Sequence, residues 1–153
     1  SFTNLFKSRN SNKHYNPLIA FTQPSSVAAE SFRMLRTSFQ FLRPGNPLKS
    51  VLITSSLPGE GKSTVISNLG ISLSQTGKRV IIIDADLRRP SLHNFFNVPS
   101  TSGLSELLVG LADYKDVVRA NQVENIKIIT SGPIPPNPAE LIDSIKIKDI
   151  IYY

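Results

Sequence analysis

The sequence predicts an α/β fold in which helices flank a parallel β-sheet, and two observations lead to that class. Runs that are apolar at their centres recur at residues 50–54, 79–84 and 126–130, which is the pattern of buried parallel strands. A helical pattern separates the first two runs. A strand, a helix and a second strand in this order form a right-handed crossover between parallel strands.

The helix in that crossover is predicted over residues 62–76, because Val65, Leu69 and Leu73 recur every four residues. Gly77 follows, where a helix C-cap belongs. Further helices are predicted over residues 28–42, 103–111, 113–119 and 138 to about 148, the last of which opens on Asn137-Pro138-Ala139-Glu140.

The predicted helix over residues 28–42 has two apolar faces. The face expected to pack on the sheet carries Ala28, Phe32, Leu35, Phe39 and Leu42. Nearly opposite, Val27, Met34 and Phe41 lie one heptad apart. A second apolar stripe needs a second partner, which is either another subunit or the N-terminal tail.

One domain accounts for the chain, because 153 residues with 40% hydrophobic content bury a single core. We expect a flexible basic tail over residues 1–20 and the folded domain over residues 21–153. The longest apolar runs, such as residues 80–83, are far shorter than the roughly 20 residues of a membrane-spanning helix. We therefore expect a soluble chain.

Composition excludes several kinds of site. Cysteine is absent, which removes disulfides, thiolate zinc sites and iron–sulfur clusters. The formal net charge is +6, but the basic residues are scattered, with a local excess only over residues 7–13. No nucleic-acid partner is therefore predicted.

A glycine-rich loop follows the first predicted strand. Residues 56–63 read Ser-Leu-Pro-Gly-Glu-Gly-Lys-Ser, close to the phosphate-binding pattern G-x-x-x-x-G-K-[ST], with serine at the first position. Gly59 and Gly61 allow backbone N–H groups to turn toward phosphate. We expect Lys62 to reach the β- and γ-phosphates and Ser63 to coordinate magnesium. The predicted nucleotide-binding residues are Pro58, Gly59, Glu60, Gly61, Lys62, Ser63 and Thr64.

Two aspartates end the second predicted strand. Alternation along the strand points Asp84 and Asp86 the same way, at the sheet edge where ligands bind in open α/β folds. Two like charges at one place require a cation between them, and magnesium bound to nucleotide supplies it. We assign Asp84 to the metal and Asp86 to the catalytic base. The reverse assignment and a purely structural role stay open.

Other polar residues near these motifs have less defined roles. Arg88 and Arg89 either stabilise the transferred phosphoryl group or anchor the loop by pairing with the aspartates. His14 and His93 lack a partner at ligand spacing, so both are expected to be structural or exposed.

Together these blocks resemble the bacterial tyrosine kinases, P-loop kinases that control capsule and exopolysaccharide production. The resemblance covers about residues 20–145 and rests on residues 56–63, on Ile-Asp-Ala-Asp-Leu-Arg-Arg-Pro at 83–90 and on Ser-Gly-Pro-Ile-Pro-Pro-Asn-Pro-Ala-Glu-Leu at 131–141. The family's helical oligomerisation motif is matched by Glu30, Arg33 and Arg36.

This resemblance implies a P-loop NTPase-like sheet that is incomplete at its C-terminal end, because the family has a later strand with a third metal-site aspartate and a tyrosine cluster. It implies ATP and Mg²⁺ as cofactors, Lys62, Asp84 and Asp86 as catalytic residues, and Ser63 and Asp84 as metal ligands. It further implies tyrosine autophosphorylation between subunits of a ring, with tyrosine-containing protein substrates. The expected location is cytoplasmic, at the inner face of the membrane beside an activator of polysaccharide export.

Two other functions stay open. The first is a partitioning or cell-division ATPase of the same superfamily, although Leu57 stands where those proteins carry a signature lysine. The second is a non-catalytic module that holds nucleotide or docks into a ring through its first helix. A guanine nucleotide is disfavoured because the chain lacks an Asn-Lys-x-Asp motif.

Overall fold

The computed structural model describes residues 16–42, 45–142 and 148–150. The elements in chain order are α1 (Ile19–Thr22), α2 (Val27–Phe41), α3 (Lys62–Ser74), β1 (Val80–Ile83), α4 (Leu92–Phe96), α5 (Leu104–Val109), α6 (Tyr114–Val117), β2 (Val118–Ala120), β3 (Ile126–Ile129) and α7 (Pro138–Ile142). Among these elements, no helix combines the length and apolarity needed to span a bilayer.

The sheet is mixed, with strand order β1-β3-β2. β1 and β3 are parallel, as the sequence predicts, whereas β2 runs antiparallel to β3. Residues 121–125 connect β2 to β3, and so short a connection permits only an antiparallel pair. The predicted helix over residues 113–119 is therefore too long, because α6 ends at Val117 and the chain continues directly into β2.

The prediction of a strand over residues 50–54 is wrong. The segment has no strand conformation, and no described strand pairs with it. Its central Leu52 is 82% exposed. An apolar run supplies β propensity, but a strand also needs a neighbour for its backbone hydrogen bonds.

Helix α3 is the central helix of the fold and packs on β1. It ends at Ser74, two residues before the predicted end, and Gly77 lies in the following turn with φ 79°. Gly70 permits close contact with the sheet, because a Cβ at this position would lie 2.7 Å from Ile82 Cδ1. The main core includes Leu18, Ala20, Ile71, Ile82, Leu92, Phe96, Val98, Val123, Ile126 and Ile128.

The folded part of the chain begins earlier than residue 21, the predicted boundary, because Leu18 and Ala20 are buried. Asn68 of α3 holds this segment. Its Oδ1 accepts the Ala20 N–H at 2.8 Å, and its Nδ2 donates to the carbonyls of Pro17 and Thr64 at 2.7 and 2.8 Å. Residues 1–15 of the predicted tail lie outside the described residues, as do residues 143–147 of the predicted last helix.

Helix α2 has an inner and an outer face, but its inner face packs mainly against α1 and α3 and not on the sheet, where the sequence predicts it. Ala29 is its buried residue, whereas Ala28 and Leu42, both expected on the inner face, are exposed. The opposite stripe is exposed, with Val27 at 86%, Met34 at 65% and Phe41 at 74%.

Two glycines allow α5 to dock on the loop that follows β3. A Cβ on Gly103 would lie 2.3 Å from both the Thr130 carbonyl oxygen and the Gly132 nitrogen. The Leu104 and Ser105 N–H groups donate to the carbonyls of Thr130 and Ser131. Backbone hydrogen bonds to the segment after β3 thus hold the N-terminus of α5.

Candidate nucleotide-binding site

A cavity of about 800 Å³ opens where the glycine-rich loop faces the segment after β1. Its lining includes seven of the predicted site residues, which are Pro58, Gly59, Gly61, Lys62, Ser63, Thr64 and Asp86. Arg88, Arg89, Ser91 and Phe95 also line it. The structure therefore brings the two motifs, which are more than 20 positions apart in the sequence, to one place.

The backbone of the loop requires its glycines. Gly59 has φ 80°, and Gly61, the N-cap of α3, has φ 90°. Both lie in the left-handed region that side chains disfavour. Glu60 does not line the cavity, because its Oε2 accepts the Leu57 N–H at 3.0 Å and so braces the loop from within.

Lys62, Ser63 and Thr64 form the first turn of α3. The N–H groups of a helix's first turn lack partners within the helix and carry partial positive charge, so they favour an anion. Together with the Lys62 ammonium they make this end of the cavity electropositive, which suits an anion such as phosphate.

Asp84 lies behind the cavity wall, with only 5% of its surface exposed. Its Oδ2 accepts the N–H groups of Ser91 and Leu92, each at 3.0 Å, and its Oδ1 accepts the Asp86 N–H at 3.2 Å. The carboxylate thus fixes the segment that leads from β1 into α4. The predicted metal-ligand role of Asp84 stays a prediction.

Burial raises the pKa of the Asp84 carboxyl above its ordinary value of 3.8. The three backbone N–H groups lower this pKa, and the neighbouring Asp86 charge raises it, but desolvation is the largest cause.

Asp86, in contrast, lines the cavity. Its Oδ1 accepts the backbone N–H groups of Arg88 and Arg89 at 3.3 and 3.0 Å. Within the described residues, neither arginine forms an ion pair with an aspartate. The loop is therefore anchored by backbone hydrogen bonds, and both guanidinium groups remain exposed at the cavity.

The structure adds a residue that the sequence reasoning missed. Ser91 Oγ lies 2.6 Å from Ser63 Oγ. Serine directly before a helix indicates a cap from sequence alone, but its contact with a residue 28 positions away depends on the fold. His93, expected to be structural or exposed, is half-buried and does not line the cavity.

The donors at the cavity suit magnesium bound together with phosphate. The Ser63 hydroxyl and the Asp86 carboxylate are hard oxygen ligands, which Mg²⁺ prefers. The described residues contain no cluster of three or more acidic, histidine or cysteine side chains that would hold a metal alone. Magnesium typically uses one or two carboxylates and completes its shell with water and phosphate oxygens, so the residues fit.

The predicted oligomerisation residues lie on α2 and have partners within the chain. Arg33 pairs with Glu30 at 2.6 Å, and its Nη1 donates to the Pro24 carbonyl at 2.9 Å. The Arg36 Nη1 donates to the Ser72 carbonyl of α3 at 2.7 Å.

Comparison with known proteins shows which family this chain belongs to. A family model described as NUBPL iron-transfer P-loop NTPase matches residues 47–137. The tyrosine-protein kinase YwqD of Bacillus subtilis is 43% identical over 148 residues, which cover 97% of this chain and 62% of the relative. This chain belongs to the P-loop NTPases, and the relatives that it matches are bacterial tyrosine kinases.

Solved structures agree with that placement. The kinase domain of the Escherichia coli tyrosine kinase Etk superposes with a TM-score of 0.82 at 34% identity, over 95% of this chain and 56% of that domain. The septum site-determining protein MinD of Pyrococcus horikoshii, solved with Mg-ADP, is more distant, with a TM-score of 0.56 and 30% identity over 65% of this chain and 41% of MinD.

This chain spans about three fifths of the length of the relatives from Bacillus subtilis and Staphylococcus aureus, and about one fifth of the length of longer relatives such as the tyrosine-protein kinase Etk of Escherichia coli. Its fold is that of a P-loop NTPase, with a mixed sheet flanked by helices, and the family implies binding of a nucleotide with magnesium. This chain contains no cysteine, the usual ligand of iron–sulfur clusters.

Proposed function

We propose that this chain is the nucleotide-binding part of an ATP-dependent protein tyrosine autokinase that regulates capsular or exopolysaccharide synthesis and export. The observation that carries the proposal is one cavity holding the α3 N-terminus, the Lys62 ammonium, the Ser63 hydroxyl and the Asp86 carboxylate. Phosphoryl transfer needs this combination, because catalysis consists mainly of positioning and of stabilising charge on the phosphates.

In this proposal the loop N–H groups and Lys62 bind the β- and γ-phosphates of ATP. Magnesium, when bound with the nucleotide at Ser63, neutralises charge that develops on the phosphate oxygens. Asp86 accepts the proton of a tyrosine hydroxyl, whose oxygen attacks the γ-phosphorus while ADP leaves. Asp84 is assigned to the metal site. It does not line the cavity, so it would act on that site from behind the cavity wall.

The test is phosphotyrosine formation after the purified chain is incubated with magnesium and ATP, with a Glu/Tyr copolymer as added substrate. Lys62→Met is expected to abolish the signal, because the phosphates lose their point charge. Lys78→Met is the matched control, since Lys78 is exposed beyond the other end of α3. Phosphotyrosine that survives Lys62→Met would contradict the kinase proposal.

Two other outcomes would select the alternatives. Nucleotide binding without phosphotyrosine would favour a non-catalytic module. ATP-dependent retention on DNA or lipid without phosphotyrosine would favour a partitioning ATPase, to which the MinD similarity is only distant.

We also propose that copies of the chain assemble through α2, as the helical motif at Glu30, Arg33 and Arg36 suggests. The exposed stripe of Val27, Met34 and Phe41 lies on this helix, and a second copy would remove that apolar surface from water. Met34→Glu is expected to shift light scattering toward the monomer. Leu111→Glu, at a residue that is 80% exposed outside α2, is the control and should leave the assembly unchanged.

The proposed partners beyond a second copy are tyrosine-containing protein substrates and a membrane activator or adaptor of polysaccharide export. The activator would recruit the protein to the inner face of the membrane. The names of the relatives, which include a capsule-region kinase of Klebsiella pneumoniae, support this setting. Co-purification with the membrane fraction only when an activator is co-expressed would test it.

A further inference from the structure

The hydroxyl of Ser91 has an unusual partner for its position. Ser91 is the N-cap residue of α4, where a serine side chain normally accepts an N–H group of the first turn, yet its hydroxyl makes no such bond. Asp84 binds this end of the helix in another way, because its Oδ2 accepts the N–H groups of Ser91 itself and of Leu92, the first helical residue. The Ser91 hydroxyl is thereby directed to Ser63, at 2.6 Å.

Both hydroxyls lie at the cavity wall. Each has one proton and two lone pairs, so either can donate in the bond between them. If the Ser63 oxygen holds a cation through a lone pair, its own proton must point away from that cation. The Ser91 oxygen is then the acceptor within reach, and it would fix the direction of the remaining Ser63 lone pairs.

We propose that Ser91 is a positioning residue of the magnesium-nucleotide site, which orients the Ser63 hydroxyl toward the cation. The proposal rests on the nucleotide-binding function proposed above. Ser91 is itself held by Asp84 through its backbone N–H. Asp84 therefore acts on the metal ligand through Ser91, from a buried position that does not line the cavity.

The experiment measures the affinity of the purified chain for a fluorescent ADP analogue, in EDTA and at increasing Mg²⁺ concentrations. Mg²⁺ is expected to enhance the affinity for the ADP analogue. Ser91→Ala should raise the Mg²⁺ concentration that gives half of this enhancement about tenfold, the usual effect of removing a residue that orients a metal ligand. Affinity in EDTA should be unchanged. Ser91→Thr keeps the hydroxyl and should restore the wild-type response, and Ser38→Ala, on the exposed side of α2, should match the wild type.

Comparison with Ser63→Ala separates this proposal from the function itself. If Ser63→Ala loses the Mg²⁺ response and Ser91→Ala keeps it, the role of Ser91 is disproved and the nucleotide site stands. If Ser63→Ala keeps the full response, the assignment of Ser63 to magnesium fails, and the proposal fails with it. If Ser91→Ala also loses affinity in EDTA, Ser91→Thr decides: a wild-type response supports the proposal, and the same loss contradicts it.

Discussion

The Ala20 N–H donates to Asn68 Oδ1 at 2.8 Å, across 48 positions of sequence and inside the buried core. The same side chain bonds the Pro17 carbonyl, and the Thr64 carbonyl in the first turn of α3. One asparagine therefore joins the segment at residues 17–20, with which the folded domain begins, to the helix that follows the glycine-rich loop.

Asn68→Ala is expected to lower the free energy of unfolding by about 3 kcal/mol, because it leaves buried backbone groups at Ala20 and Pro17 without partners. Asn94→Ala, at an exposed position of α4, is the matched control and should change it by less than about 0.5 kcal/mol. Urea unfolding measures both. Equal effects of the two variants would show that the Asn68 bonds do not hold the N-terminal segment.

Gly61→Ala is expected to weaken ADP binding about tenfold. Alanine at φ 90° is strained by about 1–2 kcal/mol, and the loop would have to recover this geometry on binding, which corresponds to about one factor of ten. Gly45→Ala carries similar strain at φ 80°, with nothing within 4 Å of the added carbon, but outside the cavity. Calorimetry should find its ADP affinity unchanged, and a loss equal to that of Gly61→Ala would contradict the argument.

Arg36→Ala is expected to cost about 2 kcal/mol of unfolding free energy in the monomer, because a charged donor is lost from the Ser72 carbonyl. Arg33→Ala breaks an exposed ion pair with Glu30 and an exposed bond to the Pro24 carbonyl. It should cost no more than about 1 kcal/mol, because water can replace partners that are exposed. Urea unfolding at concentrations where light scattering shows monomer distinguishes them. If Arg36→Ala altered assembly but not unfolding, the bond to α3 would contribute nothing to the stability of the monomer.

Asp84 is expected to give stability a distinct pH dependence in the absence of nucleotide. Because burial raises its pKa above 3.8 in the folded state, the folded protein favours the protonated carboxyl. Its contribution is fully present below pH 3.8 and is lost as the pH rises through the raised pKa. The unfolding free energy of the wild type minus that of Asp84→Asn should therefore fall with rising pH above 3.8. A difference that grows with pH would mean that the backbone N–H bonds outweigh desolvation.

The candidate site was largely predictable because its residues lie in two short segments. The loop glycines, Lys62 and Asp86 follow from short motifs, and α3, which the loop opens, was also predicted, although the strand expected before the loop does not form. The Ser63–Ser91 contact was not predictable, because it depends on how α4 packs beside α3. Residues 50–54 were mispredicted for a related reason: propensity is local, but a strand requires a partner elsewhere in the chain.

The backbone contact between Gly103 and Gly132 has a consequence for mutational surveys of this protein. Neither residue lines the nucleotide cavity, yet a methyl group at Gly103 would overlap backbone atoms at 2.3 Å that no rotamer change can move. A saturation library selected for activity should therefore lose every substitution at Gly103, as completely as at the loop glycines. Selection for cellular abundance would tell them apart, because variants of Gly103 would be degraded, whereas variants of Gly59 would accumulate as inactive protein.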